Sequence, residues 1–135
     1  MKLQFAKFFA SVFFIGKFPL APGTFASLIA NLSLYLVLLY HNQASIDLRL
    51  LMAFLVPFLF FAGVFTSSIV IKEVNDKDPS SIVIDEWVGQ WIPFIFLPLN
   101  IQNLVLSFIF FRIFDISKIL FLEKFESFSG GWGVM

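Results

Sequence analysis

Two adjacent carboxylates, Asp85 and Glu86, stand at the start of an apolar stretch and have the clearest capacity for chemistry. Gln90 follows Glu86 by four positions, so both side chains share one face if the stretch is helical. Neighbouring side chains on a helix point about 100° apart, which predicts different roles for the two acids. One would hold a metal ion while the other acts as a second ligand, base or nucleophile. The alternative is a solvated helix start whose acids favour the helix dipole.

A second charged group, Arg112, Asp115 and Lys118, has a spacing of three residues and should form one stripe along a helix. Arginine can bind a phosphate group through two parallel hydrogen bonds, and an aspartate can ligate a hard cation. Lys118 would add positive charge. The alternative is a simple ladder of ion pairs within the helix, which contributes a few tenths of a kcal/mol.

A third motif, GKFPLAPGTFAS at 16–27, contains two prolines and two glycines and predicts a bent loop that leads into a helix. Thr24 is suited to cap that helix. A helix start preceded by Gly23 presents free backbone N–H groups and forms an anion site, to which Lys17 could add positive charge. The alternative is a plain loop with a threonine cap.

The residue inventory limits the chemistry further. The chain has no cysteine and one histidine, His41, so thiolate nucleophiles, disulfides and zinc sites of the Cys or His type are excluded. Its net charge is zero, which provides no basic surface for a nucleic acid. Oxygen ligands favour Mg²⁺ over a transition metal. Carboxylates, cations and an anion-binding helix start together indicate phosphoryl chemistry, in which Mg²⁺ neutralises the phosphate and activates the attacking water.

The elements that must position these residues are strongly apolar. Of 135 residues, 59% are hydrophobic and 13% are charged, whereas a soluble domain carries about 25% charged residues. The longest run has about 22 residues without a charge, which is enough to cross a hydrocarbon core of about 30 Å. The four apolar runs lie at 25–40, 50–71, 87–99 and 104–114.

The third run is too short to span unless its helix begins earlier. Asp78 followed by Pro79 is a good pair for an N-cap and a first turn, so we expect a helix of about 19 residues that starts there and ends before Pro98. Pro93 should kink this helix. A turn at 100–103 then precedes the fourth run.

The N-terminal stretch at 3–16 is apolar around one lysine. It is too short to span a membrane and lacks a signal-peptide cleavage site, so we interpret it as an interfacial or packing helix. Residues 1–135 are therefore predicted to form a single all-α domain, a compact helical membrane protein with about four membrane-embedded helices and an N-terminal interfacial helix.

The distribution of charge predicts an orientation. If all four runs cross the membrane, the N-terminus, the 72–86 loop and the C-terminal segment share one side. Eight of the nine Lys and Arg residues then lie on that side and only Arg49 lies opposite. The positive-inside rule makes the crowded side, which holds the three motifs, cytoplasmic.

These motifs resemble the phosphatidylglycerophosphatase A family, which removes the terminal phosphate of phosphatidylglycerophosphate to give phosphatidylglycerol. The resemblance covers nearly the whole chain, in the order GKFPLAPGTFASL, IVIDEWVGQWI, FRIFDISK and GGWGVM. It implies a helical, Mg²⁺-dependent lipid phosphatase of phospholipid biosynthesis in bacterial inner membranes. It also implies an acidic centre of Asp85, Glu86 and Asp115, with Thr24 in the matched loop.

Three positions depart from the family pattern. Ala26 stands where the family usually has glycine, and Ile119 follows Lys118 where the family tends to have proline after lysine. The family also continues past its Gly-Gly-aromatic-Gly-Val-Met motif into an acidic pair and a last helix, whereas this sequence ends at Met135. The expectation is a chain without that acidic motif: a truncated product, an inactive relative, or an enzyme with fewer ligands.

We therefore expect hydrolysis of a lipid phosphomonoester at a cytoplasm-facing Mg²⁺ site. Asp85 and Asp115 would hold the metal, and Glu86 would be a further ligand or the general base. The expected phosphate-binding residues are Lys17, Gly23, Thr24, Arg112 and Lys118.

Two other classes of protein stay open at this point. A non-catalytic scaffold or small transporter subunit is disfavoured because the long second run lacks polar residues except Thr66, Ser67 and Ser68 near its end. A soluble helical bundle is the second of these classes. The expected partners are a phospholipid and the membrane but no nucleic acid, and a homo-oligomer is left open.

Overall fold

The computed structural model describes residues 2–41, 47–75, 79–121 and 131–135, and within these ranges the chain is all-helical, without strands. The all-α prediction is confirmed for this part of the chain. A 3₁₀ turn occupies Ile15–Lys17. The seven α-helices of the described ranges are α1 (Lys2–Ala10), α2 (Pro22–His41), α3 (Leu48–Val74), α4 (Ile84–Trp91), α5 (Pro93–Phe96), α6 (Ile101–Phe121) and α7 (Gly131–Val134).

Among the described residues, two helices, α2 and α3, are long and apolar enough to cross a membrane. We expected about four membrane-embedded helices, so the structure supports a smaller number by length and composition. With 27 residues, α3 is about 40 Å long. It begins at a side-chain cap, because Asp47 Oδ1 accepts hydrogen bonds from the backbone N–H groups of Arg49 and Leu50.

The third apolar run forms two short helices instead of one long one. The helix expected to start at Asp78–Pro79 starts at Ile84, and Asp78 lies outside the described residues. A turn precedes it, in which Val83 N donates to Ala10 O at 3.0 Å. As predicted, the helix is interrupted directly before Pro93, which has no N–H to donate. With eight residues, α4 is too short to cross a membrane.

The fourth run lies within a longer helix than expected. The turn predicted at 100–103 is replaced by the start of α6, where Asn100 Oδ1 accepts from Asn103 N at 2.8 Å. The helix continues past the apolar run to Phe121. Arg112, Asp115 and Lys118 therefore lie on one helix, as their spacing predicted.

Three hydrogen bonds join the middle of α2 to the end of α4 and the first part of α6. Asn31 Nδ2 donates to Leu104 O at 3.0 Å, and Trp91 Nε1 donates to Ala30 O at 3.2 Å. Gln90 Nε2 donates to Ser107 Oγ at 2.9 Å. These contacts place α4 beside α2 and α6. The N-terminal ends of α2 and α4 lie at the same end of the bundle, because Gly23 is close to Glu86.

The remaining helices cover α3. α1 packs on it and buries Ala6 and Ala10, which agrees with the predicted packing helix. α7 packs on the second half of α3, where Gly131 N donates to Ser68 Oγ at 2.9 Å. A Cβ atom at Gly131 would collide with the backbone oxygen of Val64. α7 can therefore lie against α3 only because this position has no side chain.

We predict that Gly131→Ala weakens the packing of α7. The added methyl group meets backbone that cannot move aside, so unfolding free energy should fall by about 1–3 kcal/mol. Gly133→Ala, an exposed position of the same helix, is the matched control and should change it by less than about 0.5 kcal/mol. Thermal unfolding in detergent measures both, and equal melting temperatures for the two variants would contradict the packing described.

Candidate active site

Arg112 joins two of the sequence motifs. Its Nη2 donates to Thr24 Oγ1 on α2 at 2.8 Å, and its Nη1 lies 2.8 Å from Asp115 Oδ2 on its own helix. The side chains of Arg112 and Asp115 are 18% and 29% exposed, so this ion pair is mostly shielded from solvent. The ion pair expected as a purely local alternative is present, but the same guanidinium also links α6 to α2.

Thr24 does not cap α2, contrary to our expectation, but binds Arg112. α2 begins at Pro22, after Ala21 in a left-handed conformation with φ of 46°. Thr24 therefore lies in the first turn instead of at the cap, so the capping prediction is wrong. Its hydroxyl group accepts the hydrogen bond from Arg112.

Glu86 lies against the start of α2. A Cβ atom on Gly23 would overlap Glu86 Oε1, so the carboxylate fits there because position 23 has no side chain. Glu86 Oε2 is buried and has no hydrogen-bond partner among the described residues. A carboxylate in this position interacts favourably with the helix dipole. The helix start that the sequence predicted as a phosphate site is therefore next to a carboxylate of the protein.

Asp85 points to a different place, as the angle between neighbouring helical residues predicted. With Asp115 it borders a cavity of about 480 Å³ between α3, α4, α6 and the C-terminal residues. Apart from Ser117, the other lining residues are apolar, and they include Phe60, Val88, Ile92, Phe111, Phe114 and Met135. The site thus combines two carboxylates with an apolar chamber.

The three predicted metal ligands do not form one compact cluster. No group of three or more His, Cys, Asp or Glu side chains within the described ranges is arranged to hold a metal ion. Asp85 and Asp115 share the cavity, whereas Glu86 lies on the α2 side. Mg²⁺ is commonly held by one or two carboxylates together with substrate phosphates and water, so this pair has suitable donor chemistry. Its assignment as a metal site stays a prediction.

The structure describes the side chain of only one of the two predicted lysines. Lys17 is exposed and its Nζ lies 4.3 Å from the centroid of the Phe14 ring. Lys118 belongs to α6, but its side chain lies outside the described part of the structure. Their roles in phosphate binding stay predictions.

Some residues of the site were not predicted as site residues from the sequence. Phe60 and Met135 line the cavity although they are distant from every acidic motif. Met135 ends the GGWGVM motif, and Gly63 on α3 allows it to pack there, because a Cβ atom at position 63 would meet Met135 Sδ at 2.8 Å. Gln90, recognised as sharing a face with Glu86, is fully buried and donates to Ser107.

Comparison with known proteins gives an independent view of the chain. The family model for phosphatidylglycerophosphatase A matches residues 8–135. A Bacteroides thetaiotaomicron protein named putative phosphatidylinositol-3-phosphatase is 39% identical over 123 residues, which cover 89% of this chain and 76% of that protein. Phosphatidylglycerophosphatase A of Escherichia coli is 33% identical over 122 residues, covering 89% of this chain and 67% of that protein. No solved structure matches the chain.

We predict that Thr24→Val destabilises the protein, because Arg112 loses its hydrogen bond to α2. A hydrogen bond to a charged group contributes about 1.5–3 kcal/mol, which thermal unfolding in detergent can resolve. Ser33→Ala is the control on the same helix. Ser33 Oγ donates only to the carbonyl of Ala30 within α2, so its loss should have little effect. Equal stability of Thr24→Val and the unmodified protein would contradict a structural role for the Arg112–Thr24 contact.

Proposed function

The chain belongs to the phosphatidylglycerophosphatase A family, and we propose that it hydrolyses phosphatidylglycerophosphate to phosphatidylglycerol and phosphate. Family membership makes it a lipid phosphatase, a hydrolase of phosphoric monoesters. In the reaction, a water oxygen forms a bond to phosphorus and the terminal P–O ester bond breaks. The released glycerol oxygen takes up a proton.

The observation that carries the proposal is the contact of Arg112 with Asp115, which borders an apolar cavity together with Asp85. A lipid phosphomonoester has the complementary chemistry, because its charged phosphate is attached to an apolar body. Binding pockets typically combine apolar walls with a few polar groups that fix orientation.

Arg112 would bind the phosphate. Its contacts with Thr24 and Asp115 hold the guanidinium plane in place, so little side-chain entropy is lost when a ligand binds. A guanidinium group has five N–H donors, and charge-assisted bonds from it to phosphate oxygens are strong and directional. Pre-positioning of this kind favours the reacting geometry over other orientations of the lipid headgroup.

Asp85 and Asp115 would hold Mg²⁺. When bound there, the metal would neutralise phosphate charge and lower the pKa of the attacking water. Glu86 is a further ligand or the general base in this proposal. Its buried Oε2, which has no hydrogen-bond partner among the described residues, is available to accept a proton or a hydrogen bond.

The membrane location is supported by the outer surfaces of the long helices. Large apolar side chains are exposed along α2 and α3, and in water such surfaces would be unusually extensive. They include Leu32, Leu36, Phe54, Phe58, Phe61 and Phe65. We propose that α2 and α3 cross the inner membrane of a bacterium and that the site faces the cytoplasm. Among the described cations, Arg49 lies at the start of α3, whereas Lys17, Lys72 and Arg112 lie towards the opposite end, where α2 begins and α3 ends.

A second lipid substrate needs a direct comparison. The Bacteroides relative carries a name that refers to phosphatidylinositol 3-phosphate. Both lipids present a phosphomonoester on a polar headgroup, so Arg112 and the two aspartates could act on either. Parallel phosphate-release assays on the two lipids separate the candidates, and faster turnover of phosphatidylglycerophosphate is expected.

We predict that Asp85→Asn lowers phosphate release from phosphatidylglycerophosphate by about a hundredfold or more, because several kcal/mol of charge stabilisation are lost. Insertion into the membrane should be unchanged. Asp47→Asn is the matched control, because Asp47 caps α3 at the other end of the bundle and asparagine also caps helices well. Full activity of Asp85→Asn would overturn the assignment.

We also predict that EDTA abolishes turnover and that added Mg²⁺ restores it. Binding stabilises the folded state, so Mg²⁺ should raise the melting temperature of the unmodified protein and of Asp47→Asn. The double variant Asp85→Asn with Asp115→Asn should show no such shift. Undiminished turnover in EDTA, or an equal shift in the double variant, would contradict the metal site.

A further inference from the structure

The loop before α2 exposes aromatic and aliphatic side chains in an unusual backbone conformation. Phe13, Phe14 and Leu20 are 68%, 47% and 75% exposed. Val12, Phe13 and Phe14 have consecutive positive φ angles of 45°, 56° and 68°. Residues other than glycine disfavour this left-handed region, and such strain concentrates at functional sites. Here it coincides with two rings that lie outside the core.

These rings form an organised surface. Phe8 contacts the rings of Phe13 and Phe14 edge to face, with centroids 4.9 Å and 5.3 Å apart. Backbone hydrogen bonds fix the loop, including Phe13 N to Phe8 O at 2.9 Å. Lys17 Nζ lies 4.3 Å from the centroid of Phe14. The surface is therefore both apolar and positively charged.

The same loop contacts both segments that carry the candidate site. A Cβ atom at Gly16 would collide with the carbonyl group of Ser81, in the turn that leads to Asp85. Phe18 stacks on Phe25, with centroids 4.1 Å apart and ring planes 13° apart. Phe25 directly follows Thr24, the partner of Arg112. The loop thus packs directly against the segments that carry Asp85 and Thr24.

We propose that Phe13, Phe14, Phe18 and Leu20, here called the aromatic lip, insert into the headgroup layer of an anionic phospholipid surface. The inference rests on the proposed function and extends it to how the substrate is reached. Apolar side chains bury themselves at the acyl boundary, and a neighbouring lysine adds attraction to anionic headgroups. Insertion of the lip places the site at the depth of the lipid phosphates.

Charge supports a lipid surface as the occupant. Lys17 lies beside Phe14 of the lip, and Lys2 and Lys7 are exposed on the preceding helix. A cationic and apolar surface is complementary to phosphatidylglycerol and to the phosphorylated substrate. The long spanning helices instead expose apolar side chains without a cation among them for most of their length, which fits the hydrocarbon core.

Depth measurement tests the insertion directly. Because the chain has no cysteine, Phe13→Cys gives a single site for a nitroxide label. The labelled full chain is reconstituted in vesicles of phosphatidylcholine and phosphatidylglycerol, beside Phe61→Cys near the centre of α3 and Glu73→Cys near its end. The label at 13 should be less accessible to a water-soluble nickel chelate than the label at 73, and less accessible to oxygen than the label at 61.

Two outcomes of that measurement would overturn the proposal. One is equal nickel-chelate accessibility at 13 and 73, which means that the lip lies in water. The other is spin–spin broadening at 13 that disappears on dilution with unlabelled protein, which means that a second copy of the chain covers the lip.

Kinetics provides a second test. In mixed micelles, Phe13→Ser with Phe14→Ser should raise the KM for phosphatidylglycerophosphate, expressed as surface mole fraction, by about tenfold with unchanged kcat. Phe96→Ser with Leu97→Ser, exposed at the end of α5 and outside the two proposed spanning helices, is the control and should leave KM unchanged. An unchanged KM in the lip variant, or an equal loss on a short-chain soluble substrate, would overturn the proposal. Failure of the unmodified protein to hydrolyse any lipid phosphate would instead remove the proposed function, while the depth measurement would still report on the lip.

Discussion

A guanidinium group inside an apolar bundle requires oxygen partners, because an unpaired charge there is costly. Arg112 meets this requirement on two helices, through Thr24 on α2 and Asp115 on α6. The contact therefore fixes the start of α2 relative to α6. It also places a cation where Asp115 enters the cavity shared with Asp85. The arrangement of the candidate site depends on this one link.

Small residues complete the arrangement. Gly23 leaves space for the Glu86 carboxylate, and a Cβ atom at Gly89 would overlap the ring of Phe111. α4 can therefore pack closely against both α2 and α6, although it has only eight residues. This short helix directs Glu86 towards α2 and Asp85 towards the cavity. The different surroundings of the two adjacent acids thus follow from helical geometry and from the glycines that face them.

Features set by local spacing could be predicted from the sequence. These include the all-helical class, the interruption at Pro93 and the Arg112–Asp115 pair. Features set by distant contacts could not. α4 starts at Ile84 because a backbone bond to Ala10 holds the preceding turn, and the Thr24 partner lies 88 residues away. The apolar walls of the cavity include Phe60 and Met135, which are far in sequence from the acidic residues of the site.

In the proposed function, Asp85 and Asp115 act together on one phosphate group. A double-mutant cycle with Asp85→Asn and Asp115→Asn tests it most directly, with kcat/KM for phosphate release from phosphatidylglycerophosphate as the measured quantity. Residues that act as a unit give strongly non-additive losses. The double variant should therefore be about as impaired as the worse single variant. Losses that multiply fully across the two positions would contradict it.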